Sequence, residues 1–289
     1  MKRATTVPAS TPPGTTARRL RERAASEAAA EQRYAAPALD KGLDILELLA
    51  HETEGLGLNE IARALDRTTS EIFRMVNALA RRGYIEPHGE RYTLSLKLFE
   101  LAHRHKPIRS LTAAALPLMR ELVSRTLQSC HLTVFHAGRV MVVAQVDSPE
   151  RWAFGLKVGA LVGLTDTASG HVLLAFQDEA ERARMLASHQ AVEGELDLDA
   201  RALRKTVDAV ARQGHAQMQS RQIRGVSNIA FPVLGHAGHA LAALNIPYIE
   251  RIDKKVTPSI AAAKDALAET ADRLSLLMGH VLTEPPPAR

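Results

Sequence analysis

Thr68-Thr69-Ser70-Glu71-Ile72-Phe73-Arg74-Met75-Val76-Asn77-Ala78-Leu79-Ala80-Arg81-Arg82-Gly83 is the stretch on which the fold turns. At about 100° per residue, Ile72, Met75, Val76 and Leu79 fall on one helix face, and Ser70, Arg74, Asn77 and Arg81 on the opposite one. The first face suits a core. The second offers donors for base edges and phosphates, since arginine matches guanine bidentately, asparagine matches adenine and serine reaches either. Thr68 with Glu71 forms a capping box, and Gly83 stands where the helix must stop.

Upstream, Leu58, Ile61, Ala62 and Leu65 repeat at helical spacing after the Gly55-Leu56-Gly57 break, and Asp66-Arg67-Thr68 leaves room only for a tight turn. Downstream, Tyr84-Ile85-Glu86 and Arg91-Tyr92-Thr93-Leu94 are β-prone runs around Pro87-His88-Gly89-Glu90, a small hairpin. Helix, turn, helix and wing together define a winged DNA-binding module, set against the plainer reading of a helical hairpin with a solvated basic face. Arg67, Thr68, Thr69, Ser70, Arg74, Asn77, Arg81, Arg82 and Arg91 are its candidate DNA contacts. Arg74, Asn77 and Ser70 would read bases, and Arg67, Arg81, Arg82 and Arg91 would hold phosphates.

Bulk charge does not carry this reading. The net charge is +5 over 289 residues, but residues 37–106 hold ten Lys/Arg against eleven Asp/Glu, while residues 1–36 hold seven against three. The argument rests on sorting within the module, with Asp44, Glu47, Glu52 and Glu54 on or just after the first helix, away from DNA. No apolar run approaches the roughly 20 residues of a membrane helix, and the first residues lack the apolar core of a signal peptide, so a cytoplasmic protein is expected. The single cysteine, Cys130, excludes an internal disulfide and a multi-thiolate zinc site, and reads as a small core residue.

In chain order, residues 1–36 are rich in Ala, Thr, Pro and Arg and predict a disordered basic arm, either a dispensable tail or a groove-seeking extension. Residues 37–94 form the winged module, its first helix opened by Pro37 and striped by Leu39, Leu43, Leu46 and Ala50, with Ile45 and Leu49 widening the stripe. Residues 95–110 hold a linker helix, Lys97 to His105, ended by Pro107. Residues 111–282 then alternate helices with strand pairs. A helix covers Leu111 to Leu127, a hairpin joins His131–His136 to Arg139–Val146, and Trp152–Val158 reads as a third strand. Helices follow at 165–176, 179–187 and 200–212, strands at 226–234 and 240–249, and a closing helix at 258–280. The class is α+β: a winged helix-turn-helix, a linker helix, then an antiparallel sheet with flanking helices. Residues 283–289 are read as a disordered tail.

The chain resembles the IclR family of bacterial transcription regulators over roughly residues 38–280. The resemblance is carried by Ala38-Leu-Asp-Lys-Gly-Leu-Asp-Ile-Leu, Leu58-Asn-Glu-Ile-Ala, Ser70-Glu-Ile-Phe-Arg-Met-Val and Arg82-Gly-Tyr-Ile-Glu. In the second domain it is carried by Val158-Gly-Ala, Thr167-Ala-Ser-Gly, Gln213-Gly-His-Ala and Val226-Ser-Asn-Ile-Ala-Phe-Pro-Val. It implies dimers or tetramers on partly palindromic double-stranded operator DNA, a linker helix that helps dimerise, and a C-terminal GAF-like domain that binds a small carboxylated metabolite. The sequence departs from the family's pattern at Gly163-Leu164-Thr165 in place of Pro-Leu-His, at His171 in place of Lys or Arg, and at Ser220-Arg221 in place of an acidic pair. Those departures bear on the effector, not on the fold.

Within the second domain, Gly159 to Gly170 reads as a loop feeding a helix that Thr165, Asp166 or Thr167 can cap, and a helix start is a ready carboxylate site. Asn228 shares a strand face with Ala230, and Asn245 shares one with Leu241, Ala243 and Pro247. Each asparagine taken singly is better explained by a backbone hydrogen bond in a core, and it is the two faces together that point to a pocket. The candidate effector-binding residues are Gly159, Ala160, Thr165, Asp166, Thr167, Arg221, Asn228 and Asn245, with Arg221 the one cation. His236 and His239 have metal-ligand spacing but lie in a Gly-rich turn without a third partner, so no metal and no cofactor is expected. No nucleophile elbow, phosphate loop, dinucleotide fingerprint or zinc-protease helix is present. A ligand-controlled regulator is therefore the expectation. An architectural DNA-binding protein without ligand, or an enzyme with an appended DNA-binding domain, remains as the alternative.

Overall fold

The computed structural model describes residues 36–104, 106–196, 199–253 and 256–281. Apart from Ala36, the arm expected at residues 1–36 lies outside the described residues, as does the tail. The chain divides into two compact units, Met1–Ala102 and His103–Arg289.

In the first unit, α1 (Pro37–Ala50), α2 (Leu58–Ala64) and α3 (Thr69–Arg81) pack with a three-stranded antiparallel sheet of β1 (Leu56–Gly57), β2 (Ile85–His88) and β3 (Arg91–Leu94), ordered β1-β3-β2. The core is Ile45, Leu46 and Leu49 from α1, Ile61 and Ala62 from α2, Ile72 and Val76 from α3, and Ile85 from β2. Asp66 takes a left-handed φ of 51° in the turn between α2 and α3, a conformation its short polar side chain tolerates. Pro87 lies within β2, an edge strand, where a missing N–H does no harm.

Two expectations are corrected here. The buried stripe of α1 is Gly42, Ile45, Leu46 and Leu49, while Leu39 and Leu43 are 62% and 47% exposed. Periodicity locates an apolar face, but not which edge of it meets the core. The Gly55-Leu56-Gly57 break is also more than a break, because Leu56 pairs with Tyr92 and adds a third strand to the wing.

The second unit is a six-stranded antiparallel sheet with helices on both faces. Its strands are β4 (Cys130–His136), β5 (Arg139–Val146), β6 (Leu161–Val162), β7 (Ala216–Gln219), β8 (Val226–Leu234) and β9 (Ala240–Ile249), in the order β6-β5-β4-β9-β8-β7. Strand alternation sorts the side chains. Leu132, Val134, Ile229, Val233, Leu244 and Ile246 face α5 (Lys106–Thr126) and α9 (Ile260–Leu277), and meet Leu111, Met119, Leu122, Leu267 and Leu274 there. Ala230 and Ala243 face the opposite way, toward α6 (Ala168–Ala175) and α8 (Ala200–Gln213), whose Val172, Leu173, Leu203 and Val207 complete a second core. The short helix α7 (Glu179–Ala187) adds Met185 to it. Cys130 is a core residue as expected: burial pushes its thiol up to about 12.

Residues 152–158 form no strand. The edge of β5 is taken instead by Leu161–Val162 and by the backbone of Gly159 and Ala160, which exchange hydrogen bonds with Val142. Phe154 and Leu156 alternate like strand residues yet serve to line a cavity. The linker segment also differs from expectation. Helix α4 (Lys97–Arg104) is followed by α5 beginning at Lys106, so Pro107 opens a helix, where its missing N–H is harmless, rather than ending one.

Candidate nucleic-acid interface and ligand pocket

The start of α3 is fixed by the expected capping box. Glu71 N donates to Thr68 Oγ1 at 3.3 Å, and the Thr68 N–H and hydroxyl donate to Glu71 Oε2 at 2.9 and 3.0 Å. Lys41 of α1 adds an ion pair to Glu71 at 3.1 Å. The Thr68 backbone bond first, then Lys41, holds the Glu71 carboxyl down to about 2 from its ordinary 4.5. A depressed carboxylate stabilises the fold fully above its ordinary value and loses that contribution as pH falls toward the lowered one. The melting-temperature gap between wild type and Glu71→Gln is therefore expected to be full at about pH 6 and to narrow progressively below about pH 4.5. A gap that stays constant down to about pH 3 would show that the carboxylate does not hold the helix start.

Ser70, Arg74, Asn77 and Arg81 are all exposed along one side of α3, and Arg67 and Arg82 flank it, also exposed. None of these arginines has an ion-pair partner among the described residues, so their charge is available for phosphates. Thr68 is engaged in the cap, and the Thr69 hydroxyl donates to Asn59 Oδ1 at 3.1 Å. Arg91 is engaged as well: Nη2 donates to the Gly55 carbonyl at 2.8 Å and lies 3.1 Å from Glu60 Oε2. Its guanidinium ties the wing to the start of α2, a contact across 36 residues that sequence spacing does not reveal. The sequence reading also passed over Phe73, which is 51% exposed beside Ser70 and Asn77 and has the apolar surface that thymine methyls accept.

In the second unit a cavity of about 70 Å³ lies between the α6 start and the sheet face carrying Asn228 and Asn245. Thr167 is the N-cap of α6. Its Oγ1 accepts from Gly170 N at 3.0 Å and donates to the Gly163 carbonyl at 2.7 Å. The N–H groups of Ala168 and Ser169 have no acceptor among the described residues, as first-turn donors do not. Thr167, Asn228 and Asn245 line the cavity, with Ser169, Ser220, Gln222 and His131 beside them and Phe154, Leu156 and Ile223 as apolar wall. No Lys, Arg, Asp or Glu is among the lining residues.

The other predicted residues are placed elsewhere. Thr165 and Asp166 face a loop thirty residues on: the Thr165 N–H and hydroxyl donate to Glu195 Oε1 at 3.1 and 2.8 Å, and Leu196 N donates to Asp166 Oδ2 at 3.0 Å. Burial of Glu195 opposes its ionisation, but those bonds and others from Val192 and His189 outweigh it and leave its carboxyl below the ordinary range. Gly159 and Ala160 dock on β5. Arg221 is exposed and outside the lining, although its charge, after burial, helps hold His171 below its usual value. His131, absent from the expected set, is a buried polar group of the cavity, as are Asn245 and Ser169. Burial alone pushes the His131 imidazole down to about 4, so it is neutral at physiological pH.

Among the described residues no group of three or more His, Cys, Asp or Glu side chains could hold a metal, and no helix is long and apolar enough to cross a membrane. His236 of the HxxH pair is bonded to the Gly279 carbonyl at 3.2 Å.

A capped recognition helix with exposed arginines, a wing and a separate α+β unit define a DNA-binding transcriptional regulator. Two family models match the chain: the IclR helix-turn-helix domain over residues 38–89, and the bacterial transcriptional regulator IclR C-terminal domain over residues 107–276. The chain belongs to the IclR family. It is 28% identical over 249 residues to the HTH-type transcriptional regulator KdgR of Escherichia coli, covering 83% of this chain and 92% of KdgR. It is 27% identical over 236 residues to the glycerol operon regulatory protein of Streptomyces griseus, covering 80% and 93%. An IclR homolog of Microbacterium hydrocarbonoxydans, solved in complex with 4-hydroxybenzoate, shares the fold with a TM-score of 0.69 at 21% identity, over 83% of this chain and 98% of that one.

Proposed function

We propose that this regulator controls an operon of catabolism, in the cytoplasm, and that a small carboxylated metabolite bound in the α6 cavity sets its hold on operator DNA. The carrying observation is the cavity itself. It is partly open and lined by apolar and uncharged polar side chains in equal number, and it presents unsatisfied helix-start N–H groups with no carboxylate to fill them. The operon reading is supported by the kinship with KdgR and the glycerol operon regulator, and the fold neighbour with 4-hydroxybenzoate supports an organic acid as ligand. The required coupling is modest, about 1–3 kcal/mol between DNA-bound and free states. A thermal-shift panel of small organic acids on the full chain tests it, because a ligand of the folded state alone raises stability by mass action. Loss of that shift in Asn228→Leu, with the fold intact, places the ligand in this cavity; an unchanged shift places it elsewhere.

The protein acts as a homodimer or a dimer of dimers on a two-fold site. In the first unit, Leu39, Leu43 and Leu46 of α1, Leu98 and Leu101 of α4 and Ala78 of α3 line a largely apolar groove of about 610 Å³, with Arg74 and Arg82 also in its lining. Exposed leucines gathered in one groove favour burial against the same groove of a second copy, as two-fold pairing requires. Leu43→Glu is expected to weaken operator binding at least about tenfold by releasing one recognition helix from the other, read by anisotropy with sedimentation in parallel. Wild-type affinity in that variant would move the seam away from this groove.

A further inference from the structure

At the closed end of the cavity, His131 on β4 and Asn245 on β9 are direct cross-strand partners, and both face into the space in front of α6. They are 4% and 2% exposed. His131 Nδ1 and Asn245 Oδ1 are buried without a hydrogen-bond partner, and no side-chain bond to either residue exists among the described residues. Other buried atoms, such as Asp166 Oδ1 and Gln145 Oε1, are also unpartnered among the described residues, but here neighbouring strands place two side by side, whereas Thr133, next on the same face, donates to the Ala243 carbonyl at 3.1 Å. Buried polar groups without partners are rare and call for a reason.

The chemistry of the pair narrows the ligand. A neutral imidazole holds one N–H and one lone pair, and an amide holds one carbonyl and one NH2, whichever tautomer or flip is present. The pair therefore presents donors and acceptors together. A carboxylate only accepts, so it would leave the asparagine carbonyl and the imidazole lone pair bare. A hydroxyl donates its one proton to one residue of the pair and accepts an N–H from the other, so it bonds both side chains. On the opposite wall the N–H groups of Ala168 and Ser169 suit an anionic oxygen, and no cation is present to draw a second or third charge. At the ~10–15 Å³ a cavity needs to hold one water, the space takes about five to seven waters, which is the scale of an acid of two to four carbons.

We infer that the ligand is a short monocarboxylic hydroxy acid, its carboxylate at the α6 start and its hydroxyl held between His131 and Asn245. This rests on the effector reading above and specifies it.

The test is calorimetric titration of the full chain with matched pairs: glycolate and acetate, each lactate enantiomer and propionate, 3-hydroxybutyrate and butyrate. In at least one pair the hydroxylated member binds at least about tenfold more tightly, since a site built to bond a hydroxyl rejects the analogue lacking it. That preference falls below about threefold in His131→Leu and in Asn245→Leu. Without ligand both variants melt at or above the wild-type temperature, because an unpartnered polar group is exchanged for an apolar one. Equal binding within every pair overturns the hydroxyl assignment and leaves the effector reading standing. A preference that survives in both variants overturns the role of the pair, as does a drop of more than about 5 °C in both ligand-free variants. No binding by any member at about 10 mM overturns the short hydroxy-acid assignment, while the effector reading falls only if the wider organic-acid panel also gives no thermal shift.

Discussion

Gly170→Ala is expected to destabilise the His103–Arg289 unit by about 3 kcal/mol, the upper range for forcing one methyl into a filled interior. All eight residues of α6 are buried, and a Cβ built at Gly170 would sit far inside contact with the Leu164 carbonyl oxygen. The obstacle is backbone, so no rotamer change relieves it. Either the helix start or the loop from Leu164 must move, and that loop leads directly into Thr167, Ala168 and Ser169, which line the cavity. Stability and ligand binding should therefore fall together. For a unit of this size the loss corresponds to a melting shift of roughly 10 °C, readable by calorimetry on the full chain. A variant that melts within about 2 °C of wild type would show that α6 does not lie this close to the loop.

The second large effect is at the DNA interface. Arg74→Ala is expected to cost about 1–3 kcal/mol of operator affinity, roughly ten- to a hundredfold, with specificity relaxed at the base it reads. Arg74 is exposed, shares a face with Ser70 and Asn77, and has no carboxylate partner among the described residues to give up. Arg81→Ala should behave differently, weakening all sequences alike and lowering the salt slope by about one. Arg91→Ala does not belong with it. That side chain bonds the Gly55 carbonyl and pairs with Glu60, so its removal loosens the wing before it removes a phosphate contact. Operator affinity unchanged in Arg74→Ala would take α3 out of the major groove.

The recognition helix was legible because its determinants are local. The cap, Thr68 to Glu71, spans three residues, and the two faces of α3 repeat within thirteen. The strand faces of Asn228 and Asn245 followed from alternation alone. What escaped was set by partners distant in sequence. Thr165 and Asp166 have the chemistry of helix caps, but Glu195 and the Leu196 amide claim them. Leu39 and Leu43 continue a leucine stripe, yet the core closes around Ile45 and Leu49 instead. His131 carries no motif: it sits in an apolar strand, and only the pairing of β4 with β9 sets it beside Asn245. Trp152–Val158 has strand-like alternation, but the β5 edge it would join is already paired with Leu161–Val162.

The most direct test of a ligand-controlled regulator is a gel shift of the full-length protein on its own upstream intergenic DNA, with excess competitor and with each acid pair added in turn. A discrete, competitor-resistant complex whose affinity changes at least about fivefold with a hydroxy acid, and not with its deoxy partner, is the predicted result. A complex that competitor removes entirely, or one indifferent to every organic acid that binds the protein, would contradict it.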